Sequence, residues 1–112
     1  MLKMKIAMPG PVAAYFAAES RGDAGALAQC FADHGVVRDE GGTFKGVAAI
    51  ERWNAAARKK YQHTVEPLNV FERDGKTVVI GKVSGNFPGS PVKLQHIFGL
   101  EGEKIGSLEI RP

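Results

Sequence analysis

The chain reads as an α+β domain, a curved antiparallel sheet packed on three helices. Three observations predict this. Apolar residues recur at helical spacing in three segments of the first half of the chain. From residue 64 the pattern changes to short apolar and alternating runs divided by turns, which is the mark of an antiparallel meander. Gly81, Gly85 and Gly99 fall inside those runs, where glycine marks the bends or bulges that curve a sheet. Order and pattern together fit the α+β class. A curved sheet wrapped on helices leaves a concave face to be filled by a helix, a ligand or both.

The elements follow in chain order. Pro9-Gly10-Pro11 opens the first helix, because proline suits the first turn. Val12, Tyr15, Phe16 and Glu19 lie at helical spacing among alanines, and Gly22 stops the run. Asp23 is the N-cap of a short second helix carrying Leu27, Cys30 and Phe31. A turn at Asp33-His34-Gly35 leads to a strand over 36–39, and a second short apolar step, Thr43-Phe44, follows a Gly41-Gly42 turn. Gly46 opens the third helix, whose stripe is Val47, Ile50, Trp53 and Ala57. Its end carries Arg58-Lys59-Lys60, where cations complement the helix dipole. Four strands complete the chain: 64–73, 77–87, 92–100 and 104–110. Asp74-Gly75 is a hairpin turn, 88–91 a Pro-Gly turn and Glu101-Gly102 a third reversal. Leu94, His96, Phe98 and Leu100 alternate onto one strand face, as do Leu108 and Ile110.

The 112 residues make a single domain over 1–112, long enough to bury a core. The composition is that of a soluble globular protein, with 44% hydrophobic and 24% charged residues. No apolar run approaches the ~20 residues that span a bilayer. Two lysines near the start lack the long apolar stretch of a signal peptide, so the chain is expected to be cytoplasmic, with no membrane partner. The net charge of +3 comes from scattered basic residues without interleaved aromatics, which argues against nucleic acid as a partner. The single cysteine, Cys30, excludes an intrachain disulfide and reads as a small buried hydrophobe.

The segment Val36 to Gly46 carries the clearest chemical signal. Two apolar residues run through Arg38 into Asp39, and a glycine turn follows. A carboxyl group at a strand end with apolar neighbours has its pKa raised by desolvation and can serve as a base. A simple turn carboxylate, or one paired with Arg38 or Lys45 at the surface, is the competing reading. Tyr15 reads either as a core tyrosine or as a hydrogen-bond donor facing a ligand. His96 reads either as a satisfied core histidine or as a pocket residue. His34 and His63 read as surface residues. No His or Cys spacing forms a metal site, no nucleophile elbow appears, and Gly41-Gly42 lacks phosphate-loop spacing.

These features together resemble the nuclear transport factor 2-like superfamily. The element order, the Phe31-Ala32-Asp33 step, the Asp39 strand, the Gly46 helix start and the closing meander carry the likeness, from about residue 10 to the end. Within it the chain is similar to the SnoaL-like polyketide cyclase and ketosteroid isomerase branch. The resemblance implies a cone-shaped α+β barrel and a homodimer formed through the outer face of the sheet. Val78, Ile80 and Ile97 are the apolar residues of that outer face. Ketosteroid isomerases carry a base aspartate in a Val-X-Asp-Pro step; Asp39 matches it, and Glu40 replaces the proline. Their oxyanion tyrosine stands on the first helix, seven residues before a Gly-Asp pair, as Tyr15 stands before Gly22-Asp23. Their protonated aspartic acid on the penultimate strand is replaced by His96, and the tyrosine that supports the oxyanion tyrosine by Asn54.

The resemblance thus implies Asp39 as base, with Tyr15 and His96 stabilising an oxyanion. Trp53, Leu94, Phe98, Leu108, Ile110 and Asn54 would surround a small hydrophobic substrate. No cofactor or metal is expected. Two classes of function stand: a cofactor-independent isomerase, cyclase or dehydratase that abstracts a proton next to a carbonyl, or a non-catalytic pocket or dimerisation domain.

Overall fold

In a computed structural model, residues 7–112 are described, and the lysine-bearing N-terminus lies mostly outside them. The first helix, α1 (Gly10–Arg21), carries Pro11 in its first turn. It ends where Gly22 enters the left-handed region at φ 69°, so that the amides of Gly22 and Asp23 cap the last carbonyls. The Asp23 carboxylate accepts from the Ala26 amide at 2.9 Å and caps α2 (Ala24–Ala28). Then come β1 (Phe31–Asp39), β2 (Gly42–Lys45), α3 (Val47–Tyr61), β3 (Thr64–Arg73), β4 (Lys76–Ser84), β5 (Val92–Glu101) and β6 (Lys104–Arg111). Three helices pack on one six-stranded sheet of order β2-β1-β6-β5-β4-β3.

The meander is antiparallel throughout, as the short turns between its strands predict. Four local expectations need correction. The sheet is mixed, because β1 pairs parallel with β6. Alternation reports which face a side chain takes and carries no information on strand direction. Phe31 does not end the second helix but begins β1, where it pairs with Ile105 and is 2% exposed. The Asp33-His34-Gly35 turn is instead a bulge: the register against β6 shifts between Phe31 and Val36. A bulge bends the chain without taking it out of the sheet, so Phe31 and Val37 can both reach the core. Finally, β4 stops at Ser84, and the Gly85 amide is held by Ser90 Oγ at 2.9 Å in the following turn.

Curvature arises partly where the strand glycines predict it. The register shifts opposite Gly81, between Pro67 and Asn69, and again between Gly99 and Leu100. The concave face carries the core. Tyr15 packs edge-on against Phe16, Phe31 and Phe98, with centroid separations of 5.0, 6.2 and 5.3 Å. Leu27, Ile50, Val79, Ile105 and Leu108 complete it. On the convex face Phe71, Val78 and Ile97 share a row of the register. Arg73 lies over the Phe71 ring and reaches Gln95 Oε1 at 2.9 Å, crossing that row. Val78 and Ile97 are buried within the single chain, and Ile80 is half-buried. No described helix is long and apolar enough to cross a membrane.

Candidate functional site

Helix α1 covers only one end of the concave face. At the other end the sheet, α1 and α3 enclose a cavity of about 490 Å³, within the range of small-molecule sites. Tyr15, Asp39 and His96 all line it. So do Trp53, Asn54, Leu94 and Ile110. Phe98 and Leu108, expected as substrate contacts, do not line it. They share the inward face with Leu94 and His96 but sit fully buried in the core, where Phe98 packs against Tyr15 and Phe16 of α1. Alternation selected the correct face; the helix decides which end of it remains open.

Asp39 ends β1 opposite Gly42 of the β1–β2 hairpin. Its Oδ2 accepts a hydrogen bond from Trp53 Nε1 at 3.0 Å, and no ion pair with Arg38 or Lys45 forms among the described residues. Burial raises its pKa, opposed by the Trp53 hydrogen bond and aided by the neighbouring Glu40. The surface-pair reading of Asp39 is thereby set aside, and the desolvated carboxyl is present. Trp53 is held in turn against Phe44, at a centroid distance of 6.2 Å.

Burial also raises the Tyr15 phenol well above its usual pKa, with the carboxylates of Glu19 and Asp39 adding to it. The phenol therefore keeps its proton, and among the described residues its hydroxyl donates to no protein acceptor. His96 is 2% exposed, with its ring edge-on to Phe16 at 5.5 Å. Burial lowers its pKa to about 4, so it is a neutral imidazole at pH 7 and not an imidazolium. Its Nδ1 is buried without a partner among the described residues.

Sequence reasoning missed a second polar group in the same cavity. Glu19 is 6% exposed, yet its carboxylate is bonded by Arg58 and, at 3.3 Å, by His63 Nε2. Arg58 also donates to Asn54 Oδ1 at 2.7 Å and to the Glu19 carbonyl at 3.2 Å. Burial alone would raise the Glu19 pKa, but the hydrogen bonds and charge of His63 and Arg58 outweigh it and hold the carboxyl below its usual value. Arg58, expected at the solvated end of α3, instead turns inward. His63, expected at the surface, lines the cavity, whereas His34 is exposed and meets Glu101 as a surface pair. The available signal was Glu19 itself, a charged residue on the apolar stripe of α1, four residues after Tyr15. Such a residue is buried only with a partner. Among the described residues no group of three or more potential ligands gathers to hold a metal ion.

The fold is a helix-backed curved sheet that holds a cavity with apolar walls and several polar groups. The family follows from comparison: residues 12–107 match the SnoaL-like domain, and the chain belongs to that family. A protein of Sinorhizobium meliloti, provisionally named a polyketide cyclase, is 44% identical over 93% of this chain and 95% of its own, with a TM-score of 0.89. A Catenulispora acidiphila protein with a ketosteroid isomerase-like fold, crystallised with trimethylamine, is 22% identical over 95% and 87%, with a TM-score of 0.82. The epoxide hydrolase/cyclase-like enzyme SalBIII, of pyran ring formation in salinomycin, is 22% identical over 90% and 86%, with a TM-score of 0.75. No curated protein sequence matches the chain.

Proposed function

We propose that the cavity belongs to a cofactor-independent enzyme that abstracts a proton next to a carbonyl group of a small, largely apolar substrate. The observation that carries this reading is Asp39: a carboxyl raised by burial, bordering the cavity, with one oxygen held by Trp53. A carboxylate is a stronger base the higher its pKa, so long as the working pH keeps it ionised, and it can then return the proton readily. Tyr15 keeps a donor available for the developing enolate oxygen, and neutral His96 adds a weakly acidic ring beside it. Val65, Val83, Phe87, Val92 and Leu94 form apolar walls that exclude water and strengthen those interactions. The provisional cyclase name of the Sinorhizobium relative agrees with such chemistry.

The test is hydrogen–deuterium exchange at the carbon next to the carbonyl, followed by NMR across a panel of cyclic ketones. Wild type is expected to catalyse exchange, and Asp39→Asn, which keeps the shape and removes the base, to reduce it at least ~100-fold, the usual contribution of a positioned base. Equal exchange by both proteins would refute the base assignment. Tight binding of the ketones with no exchange in wild type would establish a non-catalytic pocket.

A further inference from the structure

A single base suffices to move a proton from one carbon of a substrate to another. This cavity holds more. His63 follows α3 and lines the same space as Asp39, on the side of Glu19. Its side chain is only 10% exposed, and that of Glu19 5%. Glu19 is an ionised carboxylate bonded also by Arg58, and a carboxylate accepts only. The 3.3 Å contact therefore places a proton on His63 Nε2 and leaves Nδ1 as the ring nitrogen for another partner. A histidine oriented by a buried carboxylate is the arrangement in which imidazole takes and returns protons during reaction. Nothing in the oxyanion scheme uses it.

We infer that His63, positioned by Glu19, is a second proton-transfer residue of this cavity, and that the substrate class is a β-hydroxy carbonyl compound from which water is eliminated. The inference rests on the proposed role of Asp39. Asp39 takes the proton from the carbon between the carbonyl and the carbinol, and the C–H electron pair becomes the enolate, held by Tyr15. The enolate then re-forms the carbonyl, a C=C bond forms, and the C–O bond to the β-hydroxyl breaks. The departing oxygen takes a proton from Nδ1 of the His63 ring and leaves as water. Asp39 then loses its proton to solvent and His63 regains one, so the cycle closes without oxidant or reductant.

The experiment separates the two residues by separating the two steps. A panel of β-hydroxy ketones on mono-, bi- and tricyclic apolar frames is incubated with protein in deuterium oxide. Exchange at the carbon next to the carbonyl and loss of water are followed together by mass spectrometry. Wild type is expected to do both. His63→Gln, which keeps an amide to bond Glu19, is expected to retain exchange and to lose elimination by about 100-fold, the lower range for a general acid. Glu19→Gln, a positioning change, is expected to lower kcat for elimination while KM and the exchange rate hold. Asp39→Asn is expected to lose both steps. Elimination by His63→Gln at the wild-type rate overturns the role of His63 and leaves that of Asp39 standing. Exchange in wild type without any loss of water overturns the substrate class alone. Absence of both steps in wild type overturns this inference together with the reading on which it rests.

Discussion

At the scale of single residues, burial sets the chemistry. Tyr15 and Asp39 keep protons more readily than they would in water, and His96 loses its proton more readily. Tyr15→Phe should leave the fold intact, because the ring is the packed part, yet lower turnover of a carbonyl substrate about 100-fold if its hydroxyl stabilises an oxyanion. Steady-state kinetics on an exchanging ketone check this, with kcat falling and KM nearly constant. His96 also gives a stability prediction. Its ring ionises near 6.5 when unfolded and near 4 when folded, so between those values the unfolded chain binds more protons. This contribution to stability is present in full above about 6.5 and declines as pH falls toward 4, amounting to about 3 kcal/mol. Asp39, with its pKa raised, acts in the opposite sense, whereas Glu19, with its pKa lowered, declines with acid as His96 does. Urea midpoints at neutral and acid pH should show the loss, and His96→Leu should flatten it.

At the scale of elements, strand β4 makes room for the His96 ring by omission. Gly81 lies opposite Leu94 on the inward face and beside the β3 bulge. A Cβ there would stand 2.9 Å from His96 Cε1 and 3.0 Å from Val65 Cγ1. The His96 ring is confined by Phe16, so it has little room to yield. Gly81→Ala should therefore cost about 1–3 kcal/mol, the usual penalty of overpacking, and should displace the His96 ring. Denaturant unfolding measures the first effect, and the His96 ring resonances report the second. An unchanged midpoint with unchanged resonances would mean the strand accommodates a side chain there.

At the scale of the whole molecule, a homodimer through the convex face is a proposal that rests on the family resemblance. Val78 and Ile97 are already buried within the single chain, so the apolar area offered to a partner is smaller than alternation suggests. Phe71 and Ile80 remain half-buried there. A dimer built on this face should sediment as such at micromolar concentration and revert to monomer on Ile80→Glu, because an unpaired carboxylate would have to be buried. A wild-type monomer under those conditions would refute the proposal.

The sequence by itself determined the helices, the meander and the inward face. These follow from local periodicity and turn chemistry, which neighbouring residues settle among themselves. Asp74-Gly75 turns β3 into β4, Gly22 ends α1 in the left-handed region, and Leu94, His96 and Phe98 take one face of β5. Asp39, Tyr15 and His96 were legible as a group because their spacing resembles that of a known family. Only the tertiary structure decided which part of the inward face stays open. Phe98 and Leu108 obey the same alternation as Leu94 and Ile110, but Phe98 is closed off by Tyr15 and Phe16 of α1 and Leu108 is fully buried in the core, whereas Leu94 and Ile110 line the cavity. It also decided the parallel meeting of β1 with β6, a contact between distant segments on which alternation is silent. The Glu19–Arg58–His63 group was hidden for the same reason. Its members come from α1, α3 and the following turn, and a charge on an apolar stripe names no partner until folding brings one within hydrogen-bond reach.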